Sequence, residues 1–226
     1  MAFPHAQDLR IPVGSEDVSA LLLRPTKAKA LYVFAHGAGA GMRHKAMESN
    51  AQGLAARGIA TLRYQFPYME KGSRRPDPPR IAHAAVRAAA AKAADLAPDL
   101  PLFAGGRSFG GRMTSQAQAI EPLARVRGLA FLGFPLHPAG KPGVERSEHL
   151  SRVKIPMLFV SGSRDALAEL GLLEGVIAAL GTRAALHLVA HADHSFKVAA
   201  ASGRTSADAE GEALDATAGW MLRYAG

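Results

Sequence analysis

One stretch, Leu102-Phe103-Ala104-Gly105-Gly106-Arg107-Ser108-Phe109-Gly110-Gly111, limits the folds open to this chain more than any other. A short apolar run ends in glycines, a serine stands at a corner, and small residues open a helix. Residues 106–110 read Gly-Arg-Ser-Phe-Gly, the G-x-S-x-G pattern of a strand-to-helix turn that exposes a serine hydroxyl. The reason for the glycines is steric. The serine has to hold a strained backbone conformation, and its neighbours along the turn come too close for a β-carbon. The helix that follows aims its first N–H groups at whatever sits before the serine. A Gly-rich βα turn without chemistry carries the same letters. In a chain with 23 glycines the pattern alone does not separate the two, so the rest of the chain has to.

Strand and helix patterns alternate from Ala30 onward. Ala30-Leu31-Tyr32-Val33-Phe34-Ala35 is a continuous apolar run, as expected of a central parallel strand covered on both faces. It runs into His36-Gly37-Ala38-Gly39-Ala40-Gly41. Met47, Ala51 and Leu54 recur at helical spacing and Gly58 supplies a stop. Residues 59–64 are the next strand. Residues 65–80 are expected to be loop, because Pro67, Pro76, Pro78 and Pro79 interrupt regular structure. An Ala-rich helix follows to about Ala97. Beyond Ser108, Met113, Ala117 and Ile120 fall on one helix face. Residues 126–134 read as a buried strand, 135–151 as a second Pro/Gly-rich loop, and 155–160 as a strand leading into Ser161-Gly162-Ser163-Arg164-Asp165. Leu170, Leu173, Val176, Ile177 and Leu180 mark a helix. Residues 184–189 form the last strand, and Leu214, Trp220, Met221 and Tyr224 a closing helix. Near the start, 18–23 reads as a strand with 8–13 as its partner. The pattern predicts an α/β fold: one domain over 1–226, a doubly wound, mostly parallel sheet flanked by helices, with no large cap domain.

Composition removes several classes of function. There are no cysteines, which excludes disulfides, thiolate metal sites and a cysteine nucleophile. The first ten residues carry no apolar leader and no apolar run is long enough for a bilayer, so a cytoplasmic protein without membrane partners is expected. The net charge is +8, but the basic residues are scattered, the densest group being Lys71-Gly72-Ser73-Arg74-Arg75 in a Pro-rich loop. No aromatic residues interleave with them. The reading is therefore a solvated basic surface with no nucleic-acid partner, its milder use being to steer anionic substrates.

In an open α/β sheet, sites form at the carboxyl ends of the strands. His36, Ser108, Asp165 and His194 each lie just past the end of a different apolar strand. A serine hydroxyl needs a base to take its proton, and the base needs a partner that fixes its tautomer. The chain order Ser108, Asp165, His194 suits that arrangement, with His194 as base, Asp165 as its orienter and Phe196 packed beneath the ring. Asp193 is a rival acid, although neighbouring side chains on an extended loop diverge. Asp165 as a simple helix N-cap is another reading. His191, Asp193 and His194 together suggest half of a metal site, but Val189 stands where a further histidine would be wanted. No metal and no cofactor is expected. The glycine loop at 36–41 lacks the Lys-Ser/Thr of a nucleotide loop. It reads instead as an oxyanion loop, the backbone N–H of Ala38 pairing with that of Phe109. His36 is expected to be a structural hydrogen-bonder, and His44 and His137 to lie at the surface near the same edge. The two Pro-rich loops are expected to shape a pocket lined by Tyr68, Phe134 and Leu136.

At this point the chain resembles the α/β-hydrolase superfamily. The Ser108 turn, the His36-Gly37 loop, Ser161-Gly162-Ser163-Arg164-Asp165 and Asp193-His194-Ser195-Phe196 fit it in order, over about residues 18–225. Residues 36–42, 106–113 and 134–142 look like a dienelactone-hydrolase-like branch. That branch includes small bacterial hydrolases and the hydrolase-like domain of a chromatin-complex (NSL) subunit. Dienelactone hydrolases proper use a cysteine nucleophile, where this chain has Ser108. The resemblance implies a serine hydrolase that cleaves a small ester through Ser108, His194 and Asp165. The alternative it implies is a non-catalytic protein-interaction module that keeps the fold.

Overall fold

The computed structural model describes residues 5–226. Eight strands form one sheet in the order β1-β2-β4-β3-β5-β6-β7-β8. They span Gln7–Val13 (β1), Glu16–Leu23 (β2), Ala30–Ala35 (β3), Ile59–Tyr64 (β4), Leu102–Arg107 (β5), Val126–Leu132 (β6), Met157–Gly162 (β7) and Ala184–Val189 (β8). The pair β1–β2 is an antiparallel hairpin, and β2 joins β4 antiparallel. From β4 through β3 to β8 every pairing is parallel. The sheet is thus doubly wound and mostly parallel, as the alternation predicts, and no membrane-length apolar helix occurs among the described residues.

The central strands are apolar throughout because both of their faces are covered. Along β3, Leu31, Val33 and Ala35 join one core while Ala30, Tyr32 and Phe34 join the other. The first core lies under helices α3 (Pro79–Leu96), α4 (Phe109–Ile120) and α5 (Leu170–Leu180). The second lies under α1 (Lys45–Ala56) and α6 (Ser206–Arg223), with Met47, Leu54, Leu214, Trp220 and Met221 inside it. Ile120 departs from its expected face and is 65% exposed, because α4 ends there, beyond its contacts with the core.

Two segments expected to be loop contain helix. Residues Pro67–Glu70 form the short α2, and α3 starts at Pro79. Both prolines occupy a first helical turn, where the missing N–H has no partner to lose and the fixed φ already suits the helix. The second Pro-rich loop ends in a 3-10 helix, Glu145–Arg152. Its His149 is buried against α4, with Nε2 2.7 Å from the Ser115 hydroxyl. His137 is buried too, not at the surface.

Burial, with Arg152 and Arg112 nearby, pushes the His149 pKa down to about 4. Burial likewise pushes His36, just past β3, down to about 4 from 6.5. In the unfolded chain both revert towards 6.5. Across that window the unfolded state binds protons that the folded state refuses, so stability is whole above the upper value and drains away as pH falls. The His36 contribution is about 3 kcal/mol at most, with less from the more solvated His149. Urea midpoints are expected to fall between pH 7.5 and 4.5, and His149→Gln to flatten part of that fall. A midpoint that holds or rises on acidification would contradict this.

Candidate active site

The parallel strands place residues 36, 108, 165 and 194 at one edge of the sheet. Ser108 stands between β5 and α4 with φ 46° and ψ −116°, a conformation that L residues rarely adopt. The glycines beside it are there for room. A β-carbon on Gly106 would lie 2.3 Å from the Ala35 carbonyl oxygen, and one on Gly110 would lie 2.6 Å from that of His36. The turn therefore presses directly on the end of β3. The Ser108 N–H donates to Leu132 O at 3.2 Å, which ties the corner to β6 as well.

Ser108 Oγ lies 2.9 Å from Nε2 of His194, and His194 Nδ1 lies 2.8 Å from Oδ2 of Asp165. The Asp165 side chain is fully buried and that of His194 is 22% exposed. An ionised carboxylate can only accept, so Nδ1 carries the ring proton and Nε2 keeps a lone pair facing the hydroxyl. Oδ1 of Asp165 accepts from the Leu167 N–H at 2.8 Å, so the acid is held from both sides. Asp193 takes no part in this chain. Its Oδ1 accepts from the N–H groups of Ser195 (2.8 Å) and Lys197 (2.9 Å) and folds the loop that presents His194. His191 turns its N–H to Ser163 Oγ, and no cluster of three or more His, Asp or Glu is gathered for a metal among the described residues.

The glycine loop after β3 lies across from the serine, a β-carbon on Gly37 falling 3.8 Å from that of Ser108. The N–H groups of Ala38 and Phe109 have no protein acceptor among the described residues. The loop is fastened from behind. His36 donates from Nδ1 to Gly37 O at 2.8 Å and accepts at Nε2 from the Phe66 N–H at 3.1 Å, which uses both ring nitrogens. The Tyr68 hydroxyl accepts from the Gly39 N–H at 3.2 Å, and Gln65 Oε1 from the Met42 N–H at 2.8 Å.

A cleft of about 650 Å³ opens over Ser108 and His194. Its walls include Ala38, Met47, Leu132, Leu167, Phe196 and Ala207, with Arg107 and Glu210 among the charged groups. Tyr68, Phe134 and Leu136 are not part of it. Each is buried in the core beneath α3 and α4. Tyr68 and Phe66 meet the Phe109 ring edge-on, and Phe134 packs on Phe131 and Phe159. The cleft opens instead towards the first turns of α1 and α6. His44 stays at the surface as expected, capping α1 and lining this cleft.

A family model described as an alpha/beta hydrolase domain matches residues 28–222. The chain belongs to that family. Among solved structures, this alpha/beta hydrolase is similar to a dienelactone hydrolase from Anabaena variabilis, with a TM-score of 0.76 and 22% identity over 99% of this chain and 97% of that one. An α/β serine hydrolase without lid from Xanthomonas campestris gives 0.73 and 19% over 97% of each chain. The esterase domain of a Rhodothermus marinus protein gives 0.74 and 17% over 98% of this chain and all of that one. The proteins sharing this fold thus include a dienelactone hydrolase, a member of the branch that the sequence resembles.

The packing roles of Gly133, Gly162 and His137 around these residues are not evident from the sequence. A β-carbon on Gly133 would lie 3.3 Å from the His194 ring, and one on Gly162 would lie 2.2 Å from Ala192 O, so both positions let the histidine loop close onto the sheet. A glycine at the end of an apolar strand was the available signal. His137, with Nε2 accepting from the Glu169 N–H at 3.0 Å, pins the segment after Asp165. At the corner itself, Gly106→Ala is expected to cost at least about 3 kcal/mol, since overpacking and a disallowed φ add. Urea unfolding measures it, and a midpoint equal to that of the parent protein would contradict the close approach to β3.

Proposed function

We propose that the protein is a serine hydrolase acting on small carboxylic esters through Ser108, His194 and Asp165. The observation that carries this reading is the unbroken run of hydrogen bonds from hydroxyl to imidazole to buried carboxylate, 2.9 and 2.8 Å long. Two unclaimed backbone N–H groups beside it, at Ala38 and Phe109, support it further. The esterase domain among the similar folds favours an ester over other acyl bonds. A cleft of about 650 Å³ suits a compact substrate.

In this mechanism Ser108 Oγ attacks the ester carbonyl carbon as its proton passes to His194 Nε2. Charge develops on the carbonyl oxygen, where the N–H groups of Ala38 and Phe109 receive it, each worth about 3 kcal/mol. The bond to the alcohol oxygen then breaks, and His194 returns its proton to that oxygen. This leaves an acyl group on Ser108. Water, deprotonated by the same imidazole, attacks the acyl carbon, the acid departs and Ser108 regains its proton. Asp165 keeps Nδ1 protonated throughout and stabilises the imidazolium that forms twice per cycle. A cytoplasmic setting and the absence of any cofactor complete the proposal.

The test combines p-nitrophenyl esters of increasing acyl length with a fluorophosphonate probe. The expected result is turnover of the short esters, covalent labelling at Ser108, and loss of about 10⁴-fold or more in kcat for Ser108→Ala. Labelling or turnover that survives in Ser108→Ala would overturn the nucleophile. A folded parent protein that is neither labelled nor active would favour the interaction module instead.

A further inference from the structure

Arg107 is the first of the two variable residues of the Gly-Arg-Ser-Phe-Gly turn, and the mechanism above gives it no task. Its surroundings are nevertheless built. The guanidinium donates from Nη1 to Asn50 Oδ1 of α1 at 2.8 Å, and the Asn50 amide donates in turn to Glu210 of α6. Its carbon centre stands over the ring of Phe196, 5.4 Å from the centroid. Phe196 belongs to the loop that presents His194, and the carboxylates of Glu210 and, from that loop, Asp193 help offset the cost of burying the cation. The same loop carries two non-glycine residues at positive φ, His191 at 64° and Phe196 at 61°. Such conformations persist only where the surroundings hold them.

Resting on the serine-hydrolase reading, we propose that Arg107 is a positioning residue for His194. The cation anchors Phe196 by its ring face, α1 and α6 anchor the cation through Asn50 and Glu210, and the strained loop is held with Nε2 at Ser108. Since Arg107 directly precedes Ser108, one rigid corner fixes both the hydroxyl and the loop that carries its base. Arg suits this task better than Lys, because a planar guanidinium can lie flat on an aromatic ring while its edge N–H groups reach a neighbour.

The experiment compares Arg107→Met, Arg107→Lys, Phe196→Leu and the Arg107→Met/Phe196→Leu double variant on one short ester, with kcat and KM measured separately. A loosened base should lower kcat by roughly 10- to 100-fold in Arg107→Met. KM should stay within about twofold, since binding itself is unchanged. Arg107→Lys should recover part of kcat. Phe196→Leu should fall in the same direction, and the double variant no lower than the worse single one, because both changes break one contact. If Arg107→Met does not fold, Arg107→Lys and Phe196→Leu carry the same comparison. A raised KM with kcat intact would overturn the proposal and make Arg107 a substrate contact, as would variants that keep the parent kcat. In both of those outcomes an active parent protein leaves the serine-hydrolase reading standing. An inert parent protein overturns the two together.

Discussion

Ser108 can hold φ 46° only because the backbone on either side of it meets β3 without side chains in the way. The Ala35 and His36 carbonyls occupy the space that β-carbons on Gly106 and Gly110 would need. Contact at this range turns a corner of the chain into a fixed point. The Ser108 N–H is held by Leu132 O, and its carbonyl accepts the Arg112 N–H at 3.1 Å, the first turn of α4. The hydroxyl is therefore placed by the sheet rather than by a loop. The strain of about 1–3 kcal/mol stored there is supported by two strands and a helix that are buried on both sides.

The two flanks of the serine reach it by different physics. On one side the glycine loop is fastened by polar contacts to the segment after β4: the neutral His36 ring, the Tyr68 hydroxyl and the Gln65 amide. The aromatic rings of Phe66, Tyr68 and Phe109 pack behind it. On the other side the His194 loop is folded by Asp193 onto its own N–H groups and rests on Gly133, Gly162 and, through Phe196, on Arg107.

What could be read from the sequence follows from the same architecture. Parallel strands buried on both faces are apolar runs, so β3, β5 and β7 stood out and their carboxyl ends marked His36, Ser108 and Asp165, while His194 follows the less buried edge strand β8. The direction in which the cleft opens was not legible. It depends on α1 and α6 meeting across the sheet, and the contact between Asn50 and Glu210 joins positions 160 apart. Tyr68, Phe134 and Leu136 were expected at the cleft because prolines beside them suggested open loops. Pro67 instead starts α2, which carries Tyr68 inward, and an aromatic cluster draws Phe134 into the core. Arg107 escaped notice because its partners, Asn50, Glu210 and Phe196, lie in three separate elements.

In the proposed reaction one hydroxyl, one imidazole and two backbone N–H groups converge on a single carbonyl. A crystal structure of the protein after reaction with a small alkyl phosphonate ester measures this directly. The expected result is phosphorus bonded to Ser108 Oγ, with the phosphoryl oxygen about 3 Å from the N atoms of both Ala38 and Phe109 and His194 still bonded to Asp165. Phosphorus on another residue, or an oxygen turned away from those two N–H groups, would contradict the account.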